Sequence, residues 1–241
     1  MKRTVPRIQN ASRIPPLPPS LRNLAGACTD GDEGPERVAD LLSRDPALAS
    51  RVLGCFQALH GTPVESVGQA VTRHGARAVI QVALSAAVSD LFRAEDRPRT
   101  RLLDPPAFWR HALECGSLAW ILACEAGSSC PEEAFLAGFL HDIGKMVLWW
   151  CLPEDYEALL RDARGRQDLL LEGERLLGGT HAGVGAWMAE RWGLSPLLAD
   201  AIRYHHEPRE RISGGLLLVR IVFAAHELSS SDGGTNEREA E

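Results

Sequence analysis

The chain has 241 residues, of which 45% are apolar, enough to bury most of the surface exposed by an unfolded chain of this length in one or two compact domains. A formal net charge of -6 and a pI near 5.8 argue against a polyanionic partner held mainly by electrostatics, so nucleic acid is disfavoured. The first ten residues, MKRTVPRIQN, lack an apolar core, and the longest apolar runs, such as Met146 to Leu152, are far too short to cross a bilayer, so the expected location is cytoplasmic with no membrane partner.

Residues 1–13 form a basic arm carrying Lys2, Arg3, Arg7 and Arg13, and the following IPPLPP is expected to enter the fold extended rather than helical. Caps, breakers and three- to four-residue apolar spacing then predict helices at about 18–28, 34–43, 46–60, 65–73 and 76–93. The segment Ala94 to Pro106 is charged and holds three prolines, which marks a linker to a second helical half. That half is predicted to contain helices at about 106–126, 131–150, 154–164, 167–177, 181–192, 196–206 and 212–228. The last thirteen residues, SSSDGGTNEREAE, read as a disordered acidic tail over 229–241. Alternating strands are absent from this pattern, so the fold class is all-α. Six cysteines (Cys28, Cys55, Cys115, Cys124, Cys130 and Cys151) stand singly with no CxxC pair, as reduced, buried thiols do.

Pro131, Glu132 and Glu133 start a helix well, because proline lacks a donor in the first turn and carboxylates suit its positive end. Phe135, Leu136, Phe139, Leu140, Ile143, Met146, Val147 and Trp150 make that helix central rather than peripheral. Within it stands His141-Asp142, and Asp142 falls against the buried arc, where an unpaired charge costs several kcal/mol. Its partner is either Lys145, three residues on, or a metal cation. Ala134, Ala137, Gly138 and Gly144 leave room around the dipeptide for a ligand or for tight packing.

The remaining histidines stand at suggestive places. His111 sits on a helix with its own apolar stripe, where a hydrogen-bonded core histidine is the plain alternative to a ligand. Thr180 can cap a helix and put His181 in its first turn, where the dipole disfavours protonation and favours the neutral ring that metals need. His205-His206 closes a helix that Pro208 stops, with the two rings about 100° apart. Arg203, Arg209 and Arg211 near that pair either meet phosphate or form a solvated charged face.

The ordered set His111, His141-Asp142, Lys145, His181 and His205-His206 resembles the HD-type metal-dependent phosphohydrolases. Six stretches in order, IPPLPPSLRNLAG, VADLLSRDPALASRVLG, VESVGQAVTRHGARAVIQVALS, FLAGFLHDIGKMVL, LLEGERLLGGTHAGVGAWMAERWGLSP and AIRYHHEP, are similar to the HDOD domain, an HD-related output module of bacterial signalling proteins. The resemblance runs from about Ile14 to Leu228. It implies an all-helical domain over 14–228, with an N-terminal helical half (14–93) packed on an HD-like core (105–228). It also implies a regulatory role through a signalling protein partner, with a divalent metal (Fe, Mn, Zn or Ni; one or two ions) held by His111, His141, Asp142, His181, His205, His206 and His226.

The alternative implied by the same resemblance is a phosphohydrolase acting on a phosphorylated small molecule or a phosphodiester, with Asp142 and Lys145 as catalytic residues. Two departures bear on turnover. Active relatives complete the site with an aspartate on the last helix, and the matching place here is His226. Glu227 is one residue off register, about 100° round the helix. Relatives that hydrolyse cyclic di-GMP carry a GYP segment after the histidine pair, whereas this chain reads HHEPRERISGG, so that activity is disfavoured.

Overall fold

The computed structural model describes residues 16–30, 34–61, 63–92 and 102–232, and every regular element among them is a helix. The first half contains α1 (Pro19–Asp30), α2 (Pro35–Ser43), α3 (Pro46–His60), α4 (Val67–His74) and α5 (Ala76–Leu91). The second contains α6 (Pro105–Glu125), α7 (Pro131–Leu140), α8 (Ile143–Cys151), α9 (Pro153–Ala163), α10 (Gln167–Leu177), α11 (His181–Arg191), α12 (Pro196–Tyr204), the single turn α13 (Arg209–Ile212) and α14 (Leu217–Asp232). The basic arm, most of the expected linker and residues 233–241 lie outside the described residues.

Local chemistry starts these helices where the sequence predicts. Asp45, Ser66, Thr180 and Ser195 each accept a hydrogen bond from the backbone N–H three residues on, which satisfies a donor that the first turn leaves free. Proline opens α2, α3, α6, α7, α9 and α12, where its missing N–H costs nothing. One buried apolar cluster extends from Leu17 to Val222, so helices of both halves share a core. Across their boundary, Arg77 of α5 pairs with buried Glu132 of α7 and stacks over Trp120 of α6, whose indole N–H also reaches Glu132 at 3.3 Å.

Three expectations need correction. The helix foreseen over 131–150 is broken at the dipeptide: His141 N–H bonds back to Gly138 O (3.4 Å), Lys145 N–H to Asp142 O (2.8 Å), and Asp142 adopts φ -100, ψ 4. These three-residue steps turn the chain and redirect α8 against α11. The approach is so close that a Cβ on Gly144 would lie 1.9 Å from His181 O. The helix foreseen over 212–228 becomes α13 and α14, parted by Gly214-Gly215. Ser229 to Asp232, assigned by sequence to the acidic tail, complete α14. Among the described residues no helix is long and apolar enough to cross a membrane, and Cys55, Cys115, Cys124, Cys130 and Cys151 form no disulfide.

Candidate metal centre

Five elements deliver side chains to one point. His111 comes from α6, Asp142 and His141 from the α7–α8 turn, and His181 is the first residue of α11. His205 and His206 follow α12, and His226 comes from α14. All seven residues named as ligands by the sequence come together, in two groups whose donor atoms lie within 4.8 Å of one another: Asp142, His181, His205 and His206, and His111, His141 and His226. Lys145, in the first turn of α8, reaches the same carboxylate with Nζ 2.7 Å from Asp142 Oδ2. His141, Asp142, His181 and His205 are almost wholly buried, while the His111 and Lys145 side chains remain 29% and 18% exposed.

The rings are held by their outer nitrogens. His141 Nδ1 lies 2.7 Å from Gly138 O, and His205 Nδ1 lies 2.6 Å from Ile202 O. A carbonyl only accepts, so each Nδ1 carries the proton and each Nε2 turns inward. His181 is held by Glu174, a residue of α10 that sequence reasoning missed. Its fully buried carboxylate accepts from the His181 backbone N–H (2.7 Å), from His181 Nδ1 (2.7 Å) and from Tyr156 Oη (2.9 Å). Orientation of a ligand ring by an outer carboxylate is what metal sites use to fix tautomer and direction. The available signal was an acidic residue inside the apolar stripe LLLEGERLL, two turns before His181.

Inward, Asp142 Oδ1 lies 3.2 Å from His181 Nε2 and 3.5 Å from His205 Nε2, while Oδ2 lies 3.4 Å from His141 Nε2 and 3.8 Å from His111 Nε2. Nitrogens also face nitrogens: His181 and His206 Nε2 are 2.9 Å apart, and His226 Nδ1 is 3.2 Å from His141 Nε2. Each such contact requires a proton or a cation between its lone pairs. Asp142 Oδ1 and His205 Nε2 are buried with no hydrogen-bond partner. Close approach of Oδ1 to two rings without hydrogen-bond geometry, in a converging set of nitrogen and oxygen donors, fits a divalent ion.

Protonation follows the same division. Burial pushes His111 and His205 down to about 4 and His226 down to about 2, and it acts on His206 in the same direction, with neighbouring imidazoles adding to the effect. Burial opposes charge on His141 too, but Cys115 and Asp142 outweigh it and raise that ring well above its usual value; His181 is raised chiefly by Glu174 against burial. Burial likewise acts to raise Asp142, and Lys145 followed by His141 holds it well below the carboxylate range. Two of the three arginines near the histidine pair are otherwise engaged: Arg203 bonds Glu190 at 2.6 Å, and Arg211 bonds Glu207 at 3.0 Å.

The family model of the HDOD domain matches residues 14–208. A candidate phosphohydrolase from Shewanella amazonensis SB2B superposes with a TM-score of 0.75 at 25% identity, covering 98% of this chain and 84% of that one. A candidate signal transduction protein from Marinobacter aquaeolei VT8 gives 0.75 at 25% identity, covering 96% and 52% of the two chains. Ribonuclease Y of Geobacter sulfurreducens is 29% identical over 170 residues, 70% of this chain but 27% of that protein. The chain spans less than half the length of the first curated relatives it matches, 43% and 27% of them.

Proposed function

This chain belongs to the HDOD domain family, and from that premise we propose that it is a bacterial regulatory module that binds a signalling protein partner through its helical surface and carries a divalent ion at its centre. The observation that carries this reading is the enclosure of the cluster. His141, Asp142, His181 and His205 are buried where α7, α8, α11 and α12 meet, so an ion held there would tie together elements far apart in sequence. The fold shared with a candidate signal transduction protein supports the regulatory role.

The ion, when bound, supplies positive charge and Lewis acidity. The chain itself provides the rest. Gly138 O, Ile202 O and Glu174 keep protons on the outer nitrogens of His141, His205 and His181, so that the inner nitrogens stay available as donors. Asp142 supplies the negative charge at the centre and is itself almost wholly buried.

A second reading, metal-dependent phosphohydrolysis, is favoured by one observation: Lys145 stands with His111 at the partly exposed edge of the cluster, which His206 and His226 share. A phosphoryl group arriving there would meet Lys145 Nζ, which would offset charge developing on its oxygens. The names of the Shewanella and Geobacter relatives are consistent with phosphoester chemistry.

Elemental analysis of protein prepared without a histidine tag, followed by hydrolysis of a generic phosphodiester with Mn²⁺, Fe²⁺ or Ni²⁺, separates the two readings. Bound metal without turnover, and cellular function that survives Lys145→Ala, supports the regulatory module. Turnover that Asp142→Ala abolishes and Lys145→Ala slows supports the hydrolase. Protein that takes up no metal refutes the central ion in both.

A further inference from the structure

The carboxylate at the centre of the cluster is used unequally. Asp142 Oδ2 is bonded to Lys145 Nζ at 2.7 Å, whereas buried Oδ1 has no hydrogen-bond partner. The inward nitrogen of His205 is likewise unpartnered, and it faces Oδ1 at 3.5 Å, next to His181 Nε2 at 3.2 Å. The two unpartnered atoms, Asp142 Oδ1 and His205 Nε2, are therefore on one side, where His206 also turns Nε2 to within 2.9 Å of His181 Nε2, with Gln167 Nε2 3.0 Å from the same His206 atom.

The other side is different in charge. His111, His141 and His226 are three imidazoles with no carboxylate of their own, and the oxygen that His111 and His141 face, Oδ2, already has a cationic side chain upon it. A second divalent ion there would have to displace Lys145 and then sit beside its charge, with no carboxylate of its own to offset the repulsion.

We propose that the cluster is a one-ion site, in which Asp142, His181, His205 and His206 hold a single imidazole-preferring divalent transition ion while Lys145 and His226 keep a second ion from the His111, His141 and His226 group. The inference rests on the metal-binding reading above. One carboxylate oxygen with three ring nitrogens suits zinc, iron(II), cobalt(II) or nickel(II) and disfavours magnesium and calcium, which require oxygen-rich shells.

The test uses the full chain, stripped with chelator and reloaded with Co²⁺. Ions per chain are counted by elemental analysis after desalting, and affinity is followed by the visible absorption of the bound cobalt. One ion per chain is expected. His206→Ala should weaken binding by about 100-fold or more, as loss of a direct ligand exceeds the roughly 10–100-fold effect of an outer partner. His226→Ala should keep one ion per chain and lose far less affinity than His206→Ala, and Lys145→Met combined with His226→Asp should admit a second ion. Circular dichroism confirms that each variant folds. Two ions in the unaltered protein, or equal losses in His206→Ala and His226→Ala, overturn the one-ion site while leaving metal binding intact. Absence of any ion in the unaltered protein overturns metal binding itself.

Discussion

Replacing Glu174 by glutamine tests whether the inner cluster depends on its outer support. The carboxylate is fully buried and receives three donors: Tyr156 Oη at 2.9 Å, His181 backbone N–H at 2.7 Å and His181 Nδ1 at 2.7 Å. The Tyr156 hydroxyl remains protonated, because burial first and the Glu174 charge second push its pKa well above the usual value. Glutamine fills the same volume but turns one oxygen into an amide donor, so at least one of the three donors loses its acceptor and the others lose charge assistance. The expected cost is on the order of 3 kcal/mol, a sizeable part of a typical domain's stability. Glu174→Ala, which strands all three donors and opens a cavity, should cost about 5 kcal/mol or more, and Tyr156→Phe about 1 kcal/mol. Urea unfolding of metal-free protein measures these differences. Because the glutamine no longer fixes His181 Nδ1–H by charge, zinc affinity measured by chelator competition should fall roughly 10–100-fold. Zinc binding by Glu174→Gln that matches the unaltered protein would refute the claim that Glu174 positions His181.

Three further outcomes follow from other parts of the structure. Gly144→Ala would place a methyl carbon 1.9 Å from His181 O, a backbone atom that cannot turn aside, so the variant should lose more than about 3 kcal/mol and its metal affinity together. A thermal midpoint near that of the parent would show that α8 and α11 have slack between them. Asp45→Ala removes the cap of α3 and should cost about 1 kcal/mol with no change in metal binding, since it lies in the first half of the chain. In metal-free protein, acid should be more damaging than in most helical domains. His111, His205, His206 and His226 have depressed folded values, so their contribution is present above the unfolded value of about 6.5 and is lost as pH falls toward the folded values, about 4 for His111 and His205. His141 and His181 act in the opposite sense, their contribution being present below about 6.5 and lost as pH rises through their raised values, but they are two against four. The urea midpoint should therefore drop between pH 7 and pH 5, and a midpoint that rises over that interval would contradict the neutral state assigned to the four rings.

Much of this molecule was legible in one dimension because its signals are local. Asp45, Ser66, Thr180 and Ser195 cap helices that the sequence places within a few residues, and proline in first turns fixes several starts, since both effects act over three or four residues. The candidate ligands were also legible, through the resemblance of the ordered histidine segments to the HD-type phosphohydrolases rather than through periodicity. What periodicity misread was the dipeptide itself. An apolar stripe continues through His141 and Asp142 as if one helix ran from 131 to 150, and nothing local interrupts it.

The interruption belongs to tertiary packing. It is imposed where α8 closes upon α11, with Gly144 against the His181 carbonyl, and it turns His141 and Asp142 toward rings supplied from α6, α11, α12 and α14. Glu174 was hidden for a similar reason, because a carboxylate in an amphipathic helix has no visible purpose until the chain returns and sets His181 and Tyr156 against it. The sequence by itself determined which residues could bind a metal and that helices would carry them. Only the folded chain decided which oxygen of Asp142 is free and which is taken by Lys145, because that depends on distances between side chains brought together from across the fold.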